Sequence, residues 1–205
     1  MFRHLAVSIL SFLFITTALY ADEPLSCLSS ATGGLKLSIG DSEIFELKPS
    51  AFDAKWKLYH AKEAETPTSF KLAIGGQNVK GSFNVDKKNK AIEATWTFLS
   101  ENELKNDTLG LRADLDTKTF RNGKWKTDSK EGVFPENLPS DPNFFRDETK
   151  SFSLIFPDGK VLNFDFADLT RISFVDVRAW GVSSYGLCIQ RANPNLKNNE
   201  AAVLK

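Results

Sequence analysis

The stretch Ser151-Phe-Ser-Leu-Ile-Phe-Pro-Asp-Gly-Lys-Val-Leu-Asn-Phe-Asp-Phe166 decides the fold class. Pro157-Asp158-Gly159 suits a three-residue hairpin loop, because proline presets the first turn position and glycine takes the left-handed conformation that closes it. Counting outward from that loop, Leu154 faces Leu162 and Phe152 faces Phe164. Ser151, Ser153, Asn163 and Asp165 share the other side with Ile155 and Val161. Side chains alternate across a strand, so this is a hairpin with one face in a core and the other largely in water.

The same two-residue period recurs on both sides of it. Phe70, Leu72 and Ile74 alternate with Lys71 and Ala73 up to the Gly75-Gly76 break. Val79, Gly81, Phe83 and Val85 lie on one face of the next segment, and Ile92, Ala94, Trp96 and Phe98 on one face of the one after. Pairing Asp86 with Ala91 predicts Val85 opposite Ile92, Phe83 opposite Ala94 and Gly81 opposite Trp96, large against small. Asn122-Gly123 predicts a second tight hairpin, with Phe120 opposite Trp125. Further strands are expected over 35–39, 43–47, 55–60, 109–115, 171–177 and 185–190, with Trp56 and Trp96 in the core. Helical periodicity is nearly absent. The pattern predicts an all-β fold, an antiparallel two-sheet β-sandwich that is jelly-roll-like.

The first residues carry a different signal. Arg3 and His4 precede a mostly apolar run from Leu5 to Leu19, and small residues lead to Ala21, the layout of a secretory signal peptide. Ser8, Ser11, Thr16 and Thr17 interrupt that run, which is shorter than the ~20 residues a bilayer core needs. The expected organisation is a leader over 1–21, an N-terminal segment over 22–34, the sandwich over 35–191 and a polar tail over 192–205. Cleavage near Ala21 predicts a secreted or periplasmic product without a membrane span. The segment 131–149, with Pro135, Pro139 and Pro142, reads as a long irregular loop of the kind that carries function or covers a sheet edge.

Charge narrows the partners. Lys and Arg total 26 against 26 Asp and Glu, and the leader removes only Arg3 from that balance. A near-neutral chain lacks the basic field that nucleic acids or anionic membranes require. Cys27 and Cys188 are the two cysteines, and export makes a disulfide between them an expectation. Such a bridge would constrain the unfolded chain by about 5 kcal/mol in the chain-entropy account. The alternative is two separate thiols, Cys188 being a small buried apolar residue.

Past the leader, His60 is the single histidine, and no Gly-x-Ser-x-Gly elbow is present, so a Ser-His-Asp triad is poorly supplied. A zinc site with several His or Cys ligands is equally unsupported. Paired carboxylates can hydrolyse a glycosidic bond without histidine, which keeps a small glycanase as an alternative. Calcium is conceivable at Asp141-Pro-Asn143 or Asp147-Glu148, but neither has a diagnostic ligand spacing.

Recognition chemistry is densest in Asp176-Val-Arg-Ala-Trp-Gly-Val-Ser-Ser-Tyr185. Asp176 and Arg178, two apart, share a strand face and can pair with each other or with a ligand's hydroxyls. Trp180 and Tyr185 offer flat apolar faces for sugar stacking, and Trp125 with Phe120 offers the same if its hairpin lies at an edge. The competing reading makes Asp176–Arg178 a turn-fixing ion pair and puts the aromatics in the core.

The run from Phe152 to Phe164, then Asp176-Val-Arg-Ala-Trp-Gly and Tyr185-Gly-Leu-Cys-Ile, resembles the β-sandwich domain at the N-terminus of some large exported bacterial glycoside hydrolases. That resemblance implies a non-catalytic accessory role, binding polysaccharide or oligosaccharide or packing against an enzyme. The expected ligand contacts are Trp180, Tyr185, Asp176, Arg178 and Trp125. The alternative is a module that docks on another exported protein, for which Ile155 and Val161 are the hint.

Overall fold

A computed structural model describes residues 13–18, 24–30, 32–53, 55–62, 66, 68–88, 91–100, 102–104, 108–191 and 201–204. The chain folds as an antiparallel all-β sandwich. Its strands are β1 (Leu13–Ala18), β2 (Leu25–Ser29), β3 (Leu35–Ile39), β4 (Ser42–Phe52), β5 (Leu58–His60), β6 (Ser69–Ile74), β7 (Gln77–Lys88) and β8 (Ala91–Ser100). Then come β9 (Thr108–Asp116), a four-residue helix α1 (Thr117–Phe120), β10 (Lys124–Thr127), β11 (Glu131–Val133), β12 (Phe145–Ile155) and β13 (Val161–Asp176). A 3-10 turn over Val177–Trp180 leads to β14 (Ser184–Arg191), and β15 (Ala201–Leu204) follows. No helix among the described residues is long and apolar enough to cross a membrane.

Hydrogen bonding runs in the order β2-β3-β4-β9-β14-β13-β1-β8-β7-β6. The circuit then returns on itself, since β5 pairs with β4 and Lys62, just past β5, bridges Lys71 of β6. Across the interior, the Trp96 indole N–H of β8 donates to the Gly33 carbonyl in the β2–β3 turn at 3.2 Å. The hairpin that set the fold class has the expected register, Leu154 with Leu162 and Phe152 with Phe164, and Gly159 closes its loop at φ 88°.

Two local expectations of register and turn are corrected. The β7–β8 register is two residues tighter, with Val85 opposite Ala94, Phe83 opposite Trp96 and Gly81 opposite Phe98. An even shift leaves every side chain on its face, so alternation could not discriminate between the two registers. Packing does: a Cβ at Gly81 would overlap the Phe70 ring, which meets Phe98 edge-on at 5.2 Å. Asn122-Gly123 does not build a hairpin. Asp116 caps α1 by accepting from the Lys118 N–H, Arg121 N–H donates to the Thr117 carbonyl, and Asn122 ends the turn at φ 64°. Strand β10 pairs instead with β11 and β12.

The irregular loop is also shorter than expected, because Phe145–Thr149 belongs to β12 and pairs with β13. Strands reach beyond the expected domain bounds as well. Within 22–34, β2 pairs with β3, and within 192–205, β15 pairs with β8. In the expected leader, Leu13–Ala18 lies between β13 and β8, while residues 1–12 and 19–21 fall outside the described residues.

The cysteines are free, and the disulfide is not formed. Cys27 is on β2 and Cys188 on β14, four strand spacings apart in the order β2-β3-β4-β9-β14. Spacings of roughly 4.8 Å each place them far beyond the ~7 Å Cα separation a bridge tolerates. Both thiols are buried, as the alternative reading held.

Candidate functional site

Strand β13 ends at Asp176, whose carboxylate accepts the Arg178 N–H at 3.2 Å and starts the 3-10 turn. Gly181 ends that turn at φ 82°, a conformation glycine adopts without strain, and its N–H donates to the Arg178 carbonyl. The consequence is that Trp180, at the end of the turn, is 64% exposed. It is the one member of the expected contact set that solvent reaches freely.

The others are spent on holding that turn. Arg178 Nε donates to Asp176 Oδ1 at 2.9 Å and Nη2 to Oδ2 at 2.6 Å, a two-point pair on a carboxylate that is 0% exposed. Nη2 also donates to the Pro135 carbonyl at 3.0 Å and Nη1 to the Glu136 carbonyl at 2.7 Å. Four of the five N–H groups of a guanidinium are thus committed among the described residues. The Tyr185 hydroxyl donates to the same Pro135 carbonyl at 2.6 Å, and the Arg178 guanidinium lies 5.3 Å from the Tyr185 ring centre. The Asp176 bonds raise the Arg178 pKa above its ordinary value, and burial raises that of Tyr185. Asp176, Arg178 and Tyr185 therefore brace the loop after Phe134 against the Trp180 turn.

Trp125 is not an edge aromatic. It is 7% exposed, lies 3.8 Å centre to centre from Phe145, and covers Gly132, where a Cβ would overlap its ring. Its expected partner Phe120 is buried among Phe45, Phe134 and Phe156. The Trp125–Phe120 platform expected of an edge hairpin is therefore absent.

A second exposed indole belongs to a residue expected in the core. Trp56 is 66% exposed and sits at φ 62°, unusual for a bulky side chain. Asp53 builds its turn: Oδ1 accepts the Lys55 and Lys57 N–H groups, and Oδ2 accepts the Tyr59 hydroxyl at 2.9 Å. The turn ends with the Trp56 N–H on the Asp53 carbonyl, which carries the indole beside Phe52 and out to solvent. The Trp56–Leu58 alternation concealed this, although Asp53 three residues ahead is a turn signal. Phe52 pairs with Thr108 and Ser184 with Asp116, at opposite ends of β9. Eight residues of strand separate the two tryptophan turns by roughly 26 Å, so a short ligand meets one or the other.

The oxygens offered for calcium are used internally. Asp141 Oδ1 accepts the Asn143 N–H at 2.9 Å, and Asp147 accepts the Thr127 and Ser129 hydroxyls and pairs with Lys130 at 3.1 Å. Among the described residues no group of three or more His, Cys, Asp or Glu is placed to hold a metal ion. His60 ends β5, and burial lowers its pKa.

No protein-family model matches this sequence, and comparison with curated proteins and with solved structures likewise finds no match, so the functional reading rests on the residues themselves.

Proposed function

We propose that the protein is an exported, non-catalytic β-sandwich module that binds carbohydrate, the Trp180 indole stacking on the face of a sugar ring. The 64% exposure of Trp180, on a turn braced from beneath, carries this reading. Leaving a tryptophan in water forgoes the ~2–3 kcal/mol that burying a large apolar side chain contributes, and a rigid mount lowers the ordering cost of binding. Arg178 and Asp176 act in this reading as positioning residues beneath the platform. Export follows from the Arg3-to-Ala21 pattern, with cleavage near Ala21 and a secreted or periplasmic product that works beside a glycoside hydrolase.

Titrating the exported protein with a panel of soluble polysaccharides, followed by tryptophan fluorescence and calorimetry, tests the reading. Saturable binding to one glycan class, lost in Trp180→Ala with the melting temperature unchanged, is the expected result. Binding that survives this substitution would move the site elsewhere.

A docking module is the second reading, favoured by Val182 and Leu138, which are 51% and 50% exposed on the two segments that Arg178 ties together. Here Val182→Glu should abolish association with a protein partner while leaving glycan binding intact. The earlier hint, Ile155 and Val161, is half-buried at the end of its hairpin.

A further inference from the structure

The strand circuit is completed by a segment that the export reading removes. β1 pairs with β13 from Leu13–Phe166 to Ala18–Val161, and with β8 from Leu13–Ala94 to Thr16–Ala91, antiparallel to both. Ile15 sits between Ile92 and Phe164 and is fully buried. β15 lies along the same edge of β8, ending with Leu204 opposite Trp96, two residues short of the Leu13–Ala94 pair. The edge of β8 is therefore covered by two chain-terminal strands placed end to end.

We infer that the gap between β8 and β13 is a strand-acceptor site, filled in the cleaved protein by an extended apolar segment of another exported protein. The inference rests on the proposed cleavage near Ala21. Losing β1 strips partners from Ala91–Ala94 and Val161–Phe166, whose inward side chains Ile92, Ala94, Leu162, Phe164 and Phe166 are buried in the core. Unpaired backbone beside exposed apolar side chains is costly and invites pairing with another chain. The segment seated there defines what fits: about six extended residues, antiparallel to both neighbours, with a branched aliphatic side chain at the Ile15 position. β15 is already committed to the rest of the β8 edge, and a second cleaved copy lacks the same strand.

The full chain is expressed with export, and the mass of the product is read first. A product that keeps residues 1–21 refutes the cleavage and, with it, this inference. A product starting near Asp22 is then titrated with a labelled peptide of residues 11–20. The expected result is one peptide bound per chain, a higher melting temperature and slowed amide exchange over 91–94 and 161–166. An Ile15→Asp peptide should bind at least about tenfold more weakly, since the slot would bury its charge. If the cleaved product does not fold unaided, the peptide should restore a cooperative melt, and failure to do so overturns the inference. A cleaved product whose amides in both stretches are protected without peptide also overturns it: as a monomer it has closed its own gap, and as a dimer a second copy fills it. Neither result touches the cleavage reading.

Discussion

Asp176 and Arg178, two residues apart, hold each other through two side-chain hydrogen bonds of 2.9 and 2.6 Å, and the carboxylate has no solvent exposure. The pair is possible because the chain leaves β13 at Asp176 and tightens into a 3-10 turn. The guanidinium is thereby folded back over its own strand end, where the Pro135 and Glu136 carbonyls accept two more of its N–H groups.

Removing the arginine leaves a buried carboxylate without compensation. Arg178→Ala should destabilise the protein by roughly 3 kcal/mol in urea unfolding, the low end for breaking a buried pair because the guanidinium edge is partly wet. Arg178→Lys should recover only part of that, since an ammonium cannot reproduce the two-point geometry or reach both carbonyls. The Trp180 emission should change little, because the indole is already in water. An Arg178→Ala protein as stable as the parent would show that the brace is dispensable.

Acid should weaken the fold through Asp128. Its carboxylate accepts from the Ser151 and Thr149 hydroxyls and from the Lys150 and Ser151 N–H groups. These bonds, the Ser151 hydroxyl first, lower its pKa from 3.8 to about 2. A folded pKa below the unfolded one gives stability that is complete above the unfolded value and lost as pH falls through the folded one. Asp147 shifts in the same direction: burial pushes its pKa up, but hydrogen bonds from Thr127, Ser129 and Lys130 outweigh that. Asp165 runs the other way, raised by burial and by the Asp128 charge, so acid relieves it. The urea midpoint should therefore fall between about pH 5 and pH 2. Asp128→Asn should flatten that fall, and an unchanged slope would remove Asp128 as its source.

The thiols make a chemical prediction. Burial raises the pKa of both Cys27 and Cys188, and a buried thiol presents little thiolate to a reagent. Neither should react with a thiol-specific disulfide reagent in the native protein, and both should react in denaturant. Dithiothreitol should leave the melting temperature where it was. A drop on reduction would mean that a bridge forms in solution.

Reading the sequence recovers what a two-residue period encodes and loses what tertiary packing decides. The Phe152–Phe164 hairpin was legible because its loop chemistry and its apolar face agree on one register. The β7–β8 register was not, because a shift of two preserves the period and only the Phe70 ring over Gly81 discriminates. Asn122-Gly123 has the same local chemistry whether it joins two strands or ends a helical turn, and the Asp116 cap settled that choice. For the candidate site, the sequence singled out Asp176–Tyr185 but could not divide those residues into braces and display, and it could not tell that Trp125 is buried. Arg178 and Tyr185 went inward because the loop carbonyls of Pro135 and Glu136 meet them there, contacts more than forty residues distant in sequence, and Asp176 went with them as the partner of the Arg178 guanidinium.

Trp56 carries a cost that glycine would not. A left-handed backbone disfavours any side chain with a Cβ by about 1–2 kcal/mol, and the ring recovers little burial at 66% exposure. Trp56→Gly should therefore leave stability unchanged or raise it by about 0.5–1 kcal/mol, once the lost Phe52 contact and the added chain entropy are offset. Thermal melts of Trp56→Gly and Trp56→Ala separate the two terms, because alanine loses the ring but keeps the strain. If glycine were no better than alanine, the φ of 62° would not be a source of strain.

The Phe70–Gly81 contact predicts a compensating pair. A methyl group at position 81 has no space beneath the Phe70 ring, which Phe98, opposite Gly81 on β8, meets edge-on. Gly81→Ala should cost about 1–3 kcal/mol, the usual penalty for overpacking a filled core. Phe70→Leu alone should cost less than the 3–5 kcal/mol typical of phenylalanine-to-alanine truncation. Combined, the two should be less destabilising than their sum, because the smaller side chain opens the space that the new methyl needs. Strict additivity in urea unfolding would mean that Phe70 does not lie over Gly81 and that the two-residue shift in the β7–β8 register has some other origin.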